Sequence, residues 1–223
     1  QIPEYVKRFE EVFGPGGPWF DDASRAIAVF ESTIISTNVP FDRFMEGDES
    51  ALSDSAKRGF KLFTTTAGCS ACHRGRLFTD EDFHGLGVPA PADFSEDPVR
   101  QITFRYEVRA RGVTEDVYRA ATDDPGLYLV TKVDTDYGQF RTPMLRELGQ
   151  TAPYMHNGAF ATLEEVIDFY DRGGGESPNL DPLISPLGLS SQDKADLVAF
   201  LESLTGDSII IEKPELPPYE VIQ

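Results

Sequence analysis

The 223 residues suffice for one or two domains, each with an apolar core of its own. Against 20 basic side chains stand 38 acidic ones, a formal charge of −18, which repels nucleic acid and anionic membrane and favours basic or neutral partners. No apolar run is long enough to span a bilayer and no charged-then-apolar leader opens the chain, so its start is expected to be mature, cleaved or incomplete.

In chain order, the apolar spacing is mainly helical. Residues 22–34 (DASRAIAVFESTI) bring Ala26, Ile27, Phe30 and Ile34 near one face, with Asp21 or Asp22 expected as the cap. Residues 53–63 (SDSAKRGFKLF) put Ala56, Phe60 and Phe63 on one stripe and run directly into a cysteine pair. Between 85 and 139 the helical period fades into Pro, Asp and Gly, with an alternating stretch at Phe104, Tyr106 and Val108. This predicts long loops and a short hairpin. Thr162, followed three residues later by Glu165, reads as a capping box for a helix that puts Leu163, Val166, Ile167 and Tyr170 on one face. Residues 190–204 form a last amphipathic helix stopped by Gly206. The tail, 209–223, holds three prolines and is expected to lie extended over the surface. No internal repeat is present.

The chemistry sits at Cys69-Ser70-Ala71-Cys72-His73. Two cysteines two residues apart, followed at once by histidine, have the spacing for two thioethers to one haem while the next side chain reaches its iron. Zinc would need two further ligands from His73, His84, His156 or a carboxylate, outside the usual paired clusters. A thioredoxin-like redox pair would need a strand before the motif and a helix after it, and here a helix precedes and a loop follows. One covalent haem c accounts for both thiols, and its assembly implies an oxidising, extracytoplasmic compartment, the periplasm in a bacterium.

Further segments carry a resemblance: IPEYVKRFEEVFG from Ile2, residues 26–63, GCSACHRG, FRTPMLRELGQTAPYMHNG over 140–158 and TLEEVIDFY over 162–170. Together they resemble the C-terminal haem domain of the bacterial dihaem cytochrome c peroxidases, and more closely the MauG-like enzymes. The resemblance implies a mainly α, cytochrome c-like fold. Residues 1–50 would be a helical segment ending the family's N-terminal haem domain, 51–208 the C-terminal cytochrome c domain with an insertion near 90–123, and 209–223 the tail. The family's other CXXCH lies upstream of this chain's first residue, so that half is expected to be absent, cleaved or on another polypeptide.

The same resemblance implies His73 as proximal iron ligand and Tyr170 as distal ligand, at the position where the peroxidases carry methionine. Met144 and Met155 are then expected in the core. Arg146 first and Arg141 second would pair with haem propionates. His84 and His156 read as hydrogen-bonded structural residues, His156 with a polar contact at a domain interface as the other reading. The backbone carbonyls of Thr151 and Pro153 would bind a calcium ion. A six-coordinate haem passes electrons, so peroxide chemistry is expected at a second haem outside this chain, with a redox partner protein. The alternative is a non-enzymatic monohaem electron-transfer subunit. Finally, Arg100, Arg105, Arg109, Arg111 and Arg119 gather in the insertion, which suggests a basic surface for an acidic partner.

Overall fold

The computed structural model describes residues 2–90 and 92–215. These fall into two compact units, residues 2–37 with 207–215, and the described residues of 38–206.

In the first unit, α1 (Pro3–Phe13) opens with Pro3 in its first turn and ends at Gly14. A proline there loses no hydrogen bond and has the helical φ already set. The second helix, α2 (Phe20–Glu31), follows Trp19, which provides no side-chain cap. Asp21 and Asp22 are therefore not its cap. They lie in its first turn, where negative charge complements the helix dipole. Phe9 stacks on Phe13 at 5.6 Å and the Arg25 guanidinium lies 5.4 Å over the same ring. Neither helix buries a residue. Of the predicted face, Ile27 and Phe30 are exposed and Ile34 lies beyond the helix's end, and Trp19 and Phe20 are exposed as well. Residues 209–215 have no regular structure and Ile209, Ile210 and Ile211 are exposed, so this part of the tail is not packed down; 216–223 lie outside the described residues.

The second unit is built on a close helix pair. After the short α3 (Pro40–Met45), which buries Phe41, α4 (Asp54–Thr64) starts at Ser53, whose hydroxyl accepts from the Ala56 N–H. It buries Ala56, Gly59 and Phe63, a one-sided stripe of helical period. The chain then forms a two-stranded sheet from β1 (Phe83–Gly85) and, after α5 (Pro98–Ala110), α6 (Glu115–Ala120) and α7 (Tyr128–Thr131), β2 (Gln139–Arg141). The strands are antiparallel, with His84 opposite Phe140. This pairing joins the two ends of the insertion, and the segment expected to alternate as a hairpin is helix α5. The reason is visible in the packing: Phe104 and Val108 turn inward, while Tyr106 lies on the outer side. Their alternation is two helical stripes seen together.

Two capping boxes start the remaining helices, Thr162/Glu165 for α8 (Leu163–Asp171) and Ser190/Asp193 for α9 (Ser191–Glu202). Helices α4 and α9 cross so closely that a Cβ on Gly59 would stand 1.9 Å from the Asp196 carbonyl oxygen. Beside the crossing, buried Asp196 accepts from Ser55 Oγ at 2.5 Å, from Arg58 Nε and Nη2 at 2.7 Å each and from Gln192 Nε2 at 2.9 Å. The Arg58 guanidinium holds this carboxyl well below the usual carboxylate range. Around the pair, Phe41, Phe60, Phe63, Phe78 and Phe200 form an aromatic core with ring centroids 5.0 to 6.1 Å apart, mostly edge-on, the arrangement ring quadrupoles favour. The insertion has its own small core of Val108, Val113 and Tyr128.

Candidate haem site

The cysteine motif follows α4 directly. Gly68 takes the left-handed conformation, φ 65°, which glycine enters without a Cβ penalty, and turns the chain into a 3-10 turn at Cys69–Ala71. The His73 N–H donates to the Cys69 carbonyl at 2.9 Å, so the turn carries the histidine back beside the first cysteine. Both thiols are free and partly buried. Burial pushes Cys69 up to about 11 and also raises Cys72, with help from the Asp80 and Asp181 charges. Burial thus disfavours the thiolate form that redox exchange uses.

His73 Nδ1 lies 3.0 Å from the Phe78 carbonyl. That carbonyl accepts the Nδ1 proton and leaves Nε2 with the lone pair, the tautomer that ligates a metal. Burial lowers the histidine's pKa, which favours the neutral ring that ligation needs. Tyr170 lies near the end of α8. Its phenol is pushed far up, first by burial and then by the Cys69 and Cys72 charges. Tyr170 is therefore within electrostatic reach of both cysteines, although about a hundred residues separate them in sequence.

Two thiols and an imidazole in the tautomer that ligates metal thus stand in one short segment, with Tyr170 electrostatically coupled to both thiols, and donors of these types fit a c-type haem. They fit zinc less well. Among the described residues, the grouping of His, Cys and carboxylate atoms close enough to share an ion is Cys72, Asp80 and His84, which leaves out Cys69 and His73. Both His84 nitrogens are already engaged, Nδ1 with Asp181 at 2.6 Å and Nε2 with Asp80 at 3.3 Å.

The other expected residues are distributed as follows. Arg146 donates from Nη1 to Asp42 at 2.9 Å and from Nε and Nη2 to the Arg76 carbonyl at 3.0 and 2.7 Å, with its guanidinium 5.4 Å over Phe78. Arg141 is exposed and 4.0 Å from Glu81. His156 is hydrogen-bonded, to Asp123 at 2.9 Å, and stacks on Phe140 at 3.7 Å. Asn157 holds the same Asp123 carboxylate at 2.7 Å, so the HNG turn anchors the far end of the insertion. Thr151 and Pro153 are exposed on the loop before Tyr154. Met144 is exposed, against its expected place in the core, while Met155 is partly buried in a left-handed turn, φ 70°. Sequence reasoning missed Phe78, which both packs in the core and fixes His73 through its carbonyl. A backbone acceptor leaves no side-chain signal.

The fold is that of a cytochrome c-like haem domain, mainly helical with a two-stranded sheet and long loops. A family model described as di-haem cytochrome c peroxidase matches residues 1–50. The chain is 50% identical over 219 residues to cytochrome-c peroxidase IdrP1 of Pseudomonas sp. (strain SCT), across 97% of this chain and 58% of that protein. It is 36% identical over 217 residues to the methylamine utilization protein MauG of Methylorubrum extorquens, across 97% of this chain and 53% of that protein. Among solved structures, a MauG-like protein associated with microbial copper homeostasis matches with a TM-score of 0.68 at 29% identity, over 93% of this chain and 63% of that one. This chain belongs to the family of MauG-like dihaem cytochrome c peroxidases, whose cofactor is haem c, and spans a little over half the length of these relatives. Among the described residues no helix is long and apolar enough to cross a membrane.

Proposed function

We propose that the chain is the C-terminal haem unit of a dihaem peroxidase-type oxidoreductase. In this reading Cys69 and Cys72 would hold one haem c covalently, and His73 Nε2 and the Tyr170 oxygen would ligate its iron. The observation that carries it is a histidine directly after the second cysteine whose Nδ1 is held by the Phe78 carbonyl, and the electrostatic coupling of Tyr170 to both cysteines supports it. When bound, the cofactor supplies one-electron redox chemistry. With both residues as ligands, His73 and Tyr170 would exclude peroxide and dioxygen from this iron, and peroxide chemistry would belong to a second haem outside the chain. An anionic tyrosine oxygen donates charge and favours the ferric and higher states, so a low potential goes with this ligand pair.

The domain reading belongs to the same proposal. Residues 1–50 would be the end of the N-terminal haem domain, 51–208 the C-terminal domain with its insertion near 90–123, and 209–223 the tail. It is supported by the family match over 1–50 and by the exposed Trp19, Phe20, Ile27 and Phe30, an apolar face of the kind a further domain covers. Exposed Arg141 is the readier propionate contact of the two arginines, since Arg146 already serves Asp42 and Arg76. The carbonyls of Thr151 and Pro153 would take part in a calcium site whose carboxylate comes from outside this chain. The compartment is extracytoplasmic, as covalent haem attachment requires, and a redox partner protein delivers or receives electrons.

The competing reading is a non-enzymatic monohaem carrier, which the doubly ligated site would equally serve. The haem content and peroxide response of the native assembly separate the two. Two haems per assembly, with peroxide-dependent oxidation of an electron donor, is the expected outcome. A single haem with no response to peroxide would replace this proposal with the carrier.

A further inference from the structure

The outward side of α5 carries a second stripe that the packing of the unit does not use. Ile102, Arg105, Tyr106 and Arg109 lie at i, i+3, i+4 and i+7, the spacing of one helix face. Helix α6 brings Tyr118 and Arg119 alongside, and the six residues line a concavity of about 330 Å³. Ile102 and Tyr106 are 70% and 69% exposed. In a chain of net charge −18, three of the six lining residues are arginines and none is acidic.

The arginines are also held in place. Arg109 and Arg119 lie over the Tyr118 ring, at 5.7 and 5.9 Å from its centroid. Arg105 Nε donates to the Ala121 carbonyl at 3.3 Å and so ties α5 to the end of α6. Among the described residues the ion pairs of this region are Arg100 with Asp93 and Arg119 with Glu115, so Arg105 and Arg109 bring uncompensated charge. Guanidinium groups fixed in position lose less freedom on binding than free ones, and their forks match carboxylates bidentately.

We propose that this face of α5 and α6 is a docking surface for an acidic segment of a partner protein, one that also presents an aromatic or aliphatic side chain. The arginines meet the partner's carboxylates, and Ile102 and Tyr106 cover its apolar group. Long polyanions are a poor match, because the acidic remainder of the chain repels anything that extends beyond the groove. The proposal does not depend on the haem reading.

The probe is a short fluorescent peptide of Asp and Glu around one Phe, compared with the same peptide carrying Asn and Gln, and binding is followed by fluorescence anisotropy. The acidic peptide should bind about tenfold more tightly and weaken as salt rises. Arg109→Glu and Tyr106→Ala should each reduce its affinity about fivefold or more, with unchanged thermal unfolding to show that the fold is intact. The proposal is overturned if the two peptides bind alike, or if both variants bind as the parent does. It is equally overturned if vesicles of anionic phospholipid bind in preference to the peptide, or if sedimentation shows the face occupied by a second copy of the chain.

Discussion

In the proposed reading Tyr170 decides what the site can do. A phenol whose pKa is driven up by burial keeps its proton unless a cation displaces it, and a ferric iron is such a cation. Tyr170→Phe is therefore expected to open a coordination position, seen as binding of water or small anions in the visible spectrum. Tyr170→Met should raise the midpoint potential and introduce the sulfur-to-iron charge-transfer band of His/Met cytochromes. If the unsubstituted ferric protein already shows that band, Tyr170 merely packs and a methionine holds the iron. The motif and the helix that carries Tyr170 were legible in the sequence. The spacing of Cys69, Cys72 and His73 defines the attachment chemistry, and the capping box with its 3.6-residue period turns Tyr170 inward. Arg146 was not legible, since its partners Asp42 and Arg76 lie 104 and 70 residues away and nothing local to it indicates them.

Among the elements, the α4–α9 crossing is the tightest joint of the second unit. Gly59→Ala would drive its Cβ into the Asp196 carbonyl, and backbone cannot yield as a flexible side-chain end does. The helices must separate, with loss of packing at Phe200 as well. We expect a destabilisation of about 3 kcal/mol, read as a lower denaturant midpoint, whereas Lys61→Ala on the exposed side of α4 should change stability by less than about 0.5 kcal/mol. An unaltered midpoint for Gly59→Ala would show that the crossing is looser than described. Helices such as α4, α8 and α9 announce themselves because their caps are local side chains at fixed offsets. Helix α5 hides because it has two sides in use, Phe104 and Val108 toward the insertion core and Ile102 and Tyr106 outward. The strand pair β1–β2 joins residues more than fifty positions apart, a pairing that no local pattern encodes.

On the scale of the whole molecule, a small aromatic core, an insertion with its own apolar centre and a pair of uncovered helices leave much apolar surface outside. In relatives that this chain only partly spans, more polypeptide is present to cover such a surface. The −18 charge contrasts with the three arginines and no acid that line the α5–α6 groove, so association there should depend on salt. The account rests above all on covalent attachment at Cys69 and Cys72. Intact mass of the denatured chain, made in a host that assembles c-type cytochromes, tests it directly. The account predicts the mass of the polypeptide plus one haem, falling to that of the polypeptide alone when both cysteines are replaced by alanine. A denatured chain without added haem mass, or one that keeps its haem after both replacements, would contradict it.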